Sequence, residues 1–543
     1  MLQRQQEILD IIDKLVKCFE NLLNQSIEVI LKSFQSNRVI ELVEEIEKYY
    51  ESSLYAKKYV NAMPEILSVK ASAVKVKQLA EKEDKRARAK LEFELLPLIE
   101  NLRLDFYYQN WIDVYPEKKQ NFFDKEVSYY NRNRYLDVAK KSGAYKYDLS
   151  ICVTAFNKLE VTQKCIESLY KYFPTNISYE LIFLNHGSSD GTREYFESKN
   201  PDKQMDIEVN GGGASALYRI LEGKYRIWIS NDVLVTKNSI ENMYRCIESD
   251  EGIGWVVATT PNVSNLQSIE TNFKTIKEMY QFAEKNNVSD SKRWEERVRL
   301  CNPIDLCRVD DWFNVIFKEM MIQSGKAFPD DRISQAFRQM KYKLILAKDA
   351  FCYHFGSVTH CVADSKQAQI KYTKGRIEYI KELGIDPWGY GFCFDPTLIK
   401  VLKIKLTGEG NLLGINSGMG GNLLKIRTLL KENAQIENAN ITFLTQYEMN
   451  YKDQQGLGDE TIKVNQWTEF SEVLSRKYDY IVLENGIDLS QIIYIHELKS
   501  FLTKGGLLYI RTADNNIAHK IQNTYSAKAI VKQPDNIWLE ILN

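Results

Sequence analysis

The chain has 543 residues, 44% of them hydrophobic and 27% charged, with a formal net charge of −1. That balance is ordinary for globular protein and excludes a partner held by bulk charge, so no nucleic acid is expected to bind. Nine cysteines with no C-x-x-C pair exclude zinc ribbons and dithiol redox motifs and point to a reduced, cytoplasmic setting.

At roughly 100–200 residues per domain, about three domains are expected. The opening MLQRQQEILD has no apolar stretch, so no signal peptide is predicted, and no run of about 18 apolar residues follows to make a membrane span. Residues 1–146 read as a helical region with a connector. Ile8, Ile11, Ile12, Leu15, Val16, Phe19, Leu22 and Leu23 recur at three- and four-residue spacing, which places them on one helix face. A second helix is predicted over Glu41–Glu51. The Lys- and Arg-rich stretch Val69–Lys90 reads as a solvated helix face, with a partner-docking surface as the alternative. These N-terminal helices are also where self-association into a homo-oligomer would occur. An aromatic connector is expected from Phe106 to Tyr135.

From Tyr147 the pattern changes. LSICVTAF, YELIFLN and YRIWIS read as strands, with the helical VTQKCIESLYKYF between the first two. Strands alternating with helices predict a parallel sheet in an α/β domain, here taken as residues 147–405. Four polar or Gly-rich loops follow in order: Thr154-Ala155-Phe156-Asn157, Asn185 to Thr192, Asn210-Gly211-Gly212-Gly213, and Ser230-Asn231-Asp232. Three of them directly follow a strand, where a doubly wound sheet binds ligands. KYKLILAKDAFCYH, up to His354, adds further strand. A second α/β region, residues 406–543, begins with LLGINSGMGG, a strand running into a Gly-rich turn and then a helix, and Gly408 to Asn411 mark its edge.

This run of loops resembles the family 2 glycosyltransferases, which have the Rossmann-like GT-A fold, over about residues 147–360. Thr154–Asn157 stands where that family commonly has P-T-Y-N. Asn185–Thr192 stands for D-D-G-S-T-D-G-T, and Ser230-Asn231-Asp232 for the acidic metal motif. FPDDRISQAFRQMKYKLILAKDAFCYH matches a later block through Asp330, Asp331, Tyr342 and His354. Two departures stand out: Asn185 replaces an acid that often contacts uracil, and Ser230 replaces the first acid of the metal motif.

The resemblance implies an inverting enzyme that moves a sugar from a nucleotide-sugar donor, such as UDP-GlcNAc, to a hydroxyl. Asp232, with His354, would hold Mn²⁺ or Mg²⁺ against the donor diphosphate, since hard oxygen ligands suit those ions. Thr154, Ala155, Phe156, Asn157, Asn185, His186, Ser188 and Asp190 would form the donor-binding loops. Asn210, Gly211, Gly212 and Asn231 would complete them, the glycines allowing close backbone approach. Asp330 or Asp331, at a helix start after Pro329, would be the general base, kept ionised by the helix N-terminus. The acceptor would be a protein, for instance Ser or Thr of flagellin or another bacterial surface protein, or a growing surface polysaccharide.

Residues 406–543 are similar to class I S-adenosylmethionine methyltransferases through LLGINSGMGG, YDYIVLEN and LKSFLTKGGLLYIR. Gly414 and Asn416 depart from that pattern, which implies a methyltransferase-like domain that has lost its cofactor and serves in acceptor binding or assembly. A bifunctional transferase–methyltransferase and a non-catalytic binding protein are the competing readings.

Overall fold

The computed structural model describes residues 2–52, 62–112, 115–118, 121, 145–210, 213–312, 327–356, 365–405 and 408–543. They fall into two compact units. One gathers residues 1–236, 303–326 and 354–362; the other gathers 237–302, 327–353 and 363–543. The N-terminal helices belong with the first parallel strands, and the last α/β region belongs with two segments of the middle one.

In the first unit, helices Leu2–Leu22, Ile27–Ser36, Val39–Ser52, Ala62–Glu81 and Leu96–Tyr107 precede the sheet. Ile8, Ile12, Leu15, Val16, Phe19 and Leu22 are buried, with Ile11 and Leu23 at the margin. This apolar face is thus covered by its own chain. Phe106, expected to open a connector, is buried inside a helix; of that connector, 113–114, 119–120 and 122–135 lie outside the described residues. The basic stretch is amphipathic: Val69, Ala73 and Val76 are buried while Lys75 is exposed.

The strands are β1 (Tyr147–Ala155), β2 (Tyr179–His186), β3 (Lys203–Ile207), β4 (Gly223–Ser230), β5 (Val233–Leu234), β6 (Ile253–Thr259), β7 (Trp294–Arg297), β8 (Ile304–Arg308), β9 (Lys343–Phe351) and β10 (Tyr353–His354). After them come β11 (Asn411–Ile415), β12 (Asn440–Thr445), β13 (Glu460–Lys463), β14 (Tyr478–Leu483), β15 (Leu502–Thr512), β16 (Lys528–Gln533) and β17 (Asn536–Leu542). In the first unit the order is β3-β2-β1-β4-β8, parallel except for β8. Leu149, Ile151, Val153 and Ala155 make β1 a buried central strand, as parallel strands covered on both faces must be. The helices are tied to edge strand β3 by Lys90, which meets Glu94 at 2.7 Å and also Asp206. Within the sheet, buried Lys203 is shared by Glu180 and Glu222 at 2.6 and 2.5 Å.

In the second unit β9 pairs in parallel with β6 and antiparallel with β7. Helix Pro329–Gln339 precedes β9, and helix Ser365–Leu383 follows β10. The C-terminal sheet has the order β13-β12-β11-β14-β15-β17-β16, with β16 and β17 antiparallel. Its Gly-rich turn leads into helix Gly421–Ala434. That helix bonds to β7 through Lys425–Glu295 at 2.6 Å and Arg427–Glu296 at 2.5 Å. Among the described residues no helix is long and apolar enough to cross a membrane.

Candidate active site

The chain leaves β1 for β2 on one side and returns to β4 on the other, so the carboxyl ends of β1 and β4 form a topological switch point where a crevice opens. Three of the predicted loops gather there. Asn157 and Lys158 both take positive φ, 54° and 63°, turning the chain sharply into helix Leu159–Lys171. Asn157 N–H donates to Ser188 Oγ at 2.8 Å, and Asn157 Oδ1 accepts from Ser189 N–H at 2.9 Å. Asp190 accepts from Leu159 N–H at 2.8 Å and from its own loop's Thr192 hydroxyl at 2.7 Å. Asn231 donates from Nδ2 to the Asn157 carbonyl and to Thr162 Oγ1, at 3.1 and 2.8 Å. First, second and fourth loops are thereby locked into one framework.

That framework changes the part played by several predicted contacts. Asn185 is fully buried; its amide donates to Asp206 at 3.1 Å and accepts from Ser188 N–H at 3.0 Å. It shapes the second loop from beneath. Asp206, which the sequence reading missed, is paired with Asn185 by the β2–β3 register. Ala155 is buried, Thr154 nearly so, and Phe156, His186 and Ser188 are half-buried at the crevice. Burial lowers the His186 imidazole to about 4, so the ring is neutral at physiological pH, and its Nδ1 has no hydrogen-bond partner.

In the third loop, Gly211 and Gly212 lie outside the described residues, and Asn210 is exposed. Gly213 does need to be glycine, with φ at 85°, but a Cβ there would lie 2.7 Å from Leu98 Cδ2. Its freedom serves the packing of an N-terminal helix.

The structure brings Asp232 and His354 together. Asp232 is 4% exposed, and its Oδ2 lies 3.3 Å from His354 Nε2. Backbone fixes the pair, since Phe355 N–H donates to the Asp232 carbonyl at 3.0 Å. No cluster of three His, Cys, Asp or Glu suited to a metal occurs among the described residues. A divalent cation held here would take one carboxylate oxygen and one imidazole nitrogen, and two ligands each about 2.1 Å from an octahedral ion lie about 3 Å apart.

In the second unit, Phe328 at φ 65° precedes helix Pro329–Gln339. The helix begins at Pro329, one residue before the aspartates, so both occupy its first turn. Asp330 is half-buried and Asp331 is 5% exposed. Asp331 Oδ1 lies 2.8 Å from Arg299 Nε, close enough for an ion pair but out of line for a hydrogen bond. Burial outweighs Arg299 and the helix end and raises the Asp331 carboxyl to about 6. The expectation that a helix N-terminus holds this carboxylate's pKa low is therefore overturned. Nothing in the spacing of the sequence marks Arg299, whose proximity is purely tertiary.

A parallel sheet with an acidic strand-end motif at its switch point is a GT-A-like arrangement. Residues 150–292 match the family model described as glycosyl transferase family 2. The chain carries that domain over those residues. No curated protein sequence matches it. Among solved structures it is similar to GalNAc-T7 with UDP, GalNAc and Mn²⁺, at 12% identity and TM-score 0.33, covering 43% of this chain and 48% of that one. It thus spans about half the length of that protein. It is also similar to the Pyrobaculum calidifontis mannosyltransferase PcManGT in complex with GDP-Man and Mn²⁺, at 12% identity and TM-score 0.29, covering 68% and 88%. A third is S. aureus TarS 1-349 in complex with UDP-GlcNAc, at 14% identity and TM-score 0.31, covering 44% and 66%.

Proposed function

We propose that the protein is an inverting, divalent-metal-dependent transferase that moves a sugar from a UDP-sugar such as UDP-GlcNAc to an acceptor hydroxyl. The observation that carries this reading is the Asp232–His354 pair at 3.3 Å beside the switch-point crevice. Asp232 and His354 would hold Mn²⁺ or Mg²⁺, which when bound supplies Lewis-acid stabilisation of the departing diphosphate. The interlocked loops at 154–157 and 185–190 orient the donor, and neutral His186 presents a hydrogen-bonding ring without adding charge.

The acceptor oxygen forms its bond to the anomeric carbon as the bond from that carbon to the diphosphate oxygen breaks. The hydroxyl proton passes to a carboxylate, and the nucleoside diphosphate leaves. Asp330 is the base in this reading, because it is half-buried at the helix start. Asp331 is held against Arg299 and positions that turn. The acceptor hydroxyl in this reading belongs to a protein, such as flagellin, or to a glycan.

The test is hydrolysis of UDP-GlcNAc by the full chain with Mn²⁺ and with EDTA, alongside Asp232→Asn. Turnover that needs the metal and is lost in the variant supports the reading. Full turnover in EDTA would exclude the metal role.

A further inference from the structure

The C-terminal sheet repeats the switch-point geometry. Strand β11 neighbours β12 on one side and β14 on the other, so a crevice for ligands belongs at the Gly-rich turn after β11. In such folds the backbone N–H groups of the turn and the following helix receive a ligand's oxygens. Here they receive the chain's own. Met419 N–H donates to the Tyr390 carbonyl and Gly421 N–H to the Gly391 carbonyl, both at 2.9 Å. Asn422 Oδ1 accepts from Asp395 N–H at 2.7 Å.

Side chains complete the fit. Glu484, just past the end of β14, is 1% exposed. Its Oε2 accepts from the Tyr390 hydroxyl at 2.5 Å and from Asn422 Nδ2 at 2.8 Å. The Arg511 guanidinium lies 4.6 Å over the Tyr390 ring. Further along, the Phe394 ring receives Arg297 at 4.9 Å and Lys425 at 5.0 Å. Asp395 Oδ2 then accepts from Asn536 and Trp538, each at 2.8 Å. Glycines record the closeness: a Cβ at Gly418 would lie 2.1 Å from the Tyr390 carbonyl oxygen, and one at Gly421 2.6 Å from the Cys393 carbonyl carbon.

We propose that this crevice is a self-occupied ligand site: the strap Tyr390–Asp395 is the domain's resident ligand, seated where a nucleotide-type cofactor would bind. The turn keeps its glycines to admit the strap's backbone, and the C-terminal domain works as a receptor for its own chain. S-adenosylmethionine has no place there without displacing Tyr390. This inference does not depend on the transferase reading.

Hydrogen–deuterium exchange on the full chain tests it. Without any ligand, the Met419 and Gly421 amides should exchange slowly, and saturating S-adenosylmethionine should change neither their rates nor the melting temperature. Rapid exchange at these amides, or saturable binding of S-adenosylmethionine to the wild-type chain, overturns the proposal. Gly391 has φ of 79°, and a Cβ there would lie 2.6 Å from the Ser417 carbonyl. Gly391→Val should therefore unseat the strap and speed exchange at Met419 and Gly421 at least tenfold, while β11 and β14 amides stay protected. Unchanged protection in this variant also overturns it. Tyr390→Phe, which removes only the bond to Glu484, is the milder variant, and it should speed exchange at Met419 more than at β14.

Discussion

The carboxylate of Asp331 stands 2.8 Å from the Arg299 guanidinium, yet burial still raises it to about 6. The Coulomb attraction is present, but the two groups are out of line for a hydrogen bond and water is excluded from around the carboxylate. Desolvation then wins.

A raised carboxyl pKa stabilises the fold below its unfolded value, near 3.9, and that stability is lost as pH rises through about 6. A shift of about 2 units corresponds to about 3 kcal/mol. Asp331→Asn cannot titrate. Its unfolding free energy relative to wild type should therefore move in the variant's favour by up to about 3 kcal/mol between pH 4 and pH 7. Urea melts across that range check it; a difference independent of pH would place the perturbed carboxyl elsewhere.

Asp330→Asn should lose transfer by about 10²–10⁴-fold, the usual worth of a general base, while donor affinity and Mn²⁺ dependence stay as in wild type. Single-turnover rates with a saturating UDP-sugar separate the two effects. Near-normal turnover would move the base away from this helix.

Gly187 bridges the second loop to the segment after β3. Its φ is +76°, and a Cβ would lie 2.3 Å from the Glu208 carbonyl oxygen. Gly187→Ala should cost about 1–3 kcal/mol of local strain and weaken UDP-sugar binding through Asn157 and Ser188, which share that loop's hydrogen bonds. Thermal melts and donor titration together test this.

Helix Pro329–Gln339 is braced by the C-terminal region. Arg338 pairs with buried Asp453 at 2.7 Å, and Gly456 packs so closely that a Cβ would lie 1.9 Å from the Arg338 carbonyl oxygen. Asp453→Ala leaves a buried guanidinium without its counter-charge, which should cost about 3–5 kcal/mol. A chemical denaturation midpoint unchanged from wild type would mean the pair is not desolvated in solution.

What the sequence determined is the set of local pieces: apolar runs alternating with helical spacing, and polar or Gly-rich loops at strand ends in a fixed order. Those depend on near-neighbour patterning, so Thr154–Asn157, Asn185–Asp190 and Asp232 stand where the pattern put them. Tertiary structure decided which of these residues face the crevice and which brace it. Asn185 is buried on Asp206 because β2 and β3 pair in that register. Gly213 yields to Leu98, and Asp331 meets Arg299. Tyr390 fills the turn that the sequence alone presented as a vacated cofactor motif. None of these partners stands at a helix or strand period from the residue it meets, so only the closing of the chain upon itself brings them together.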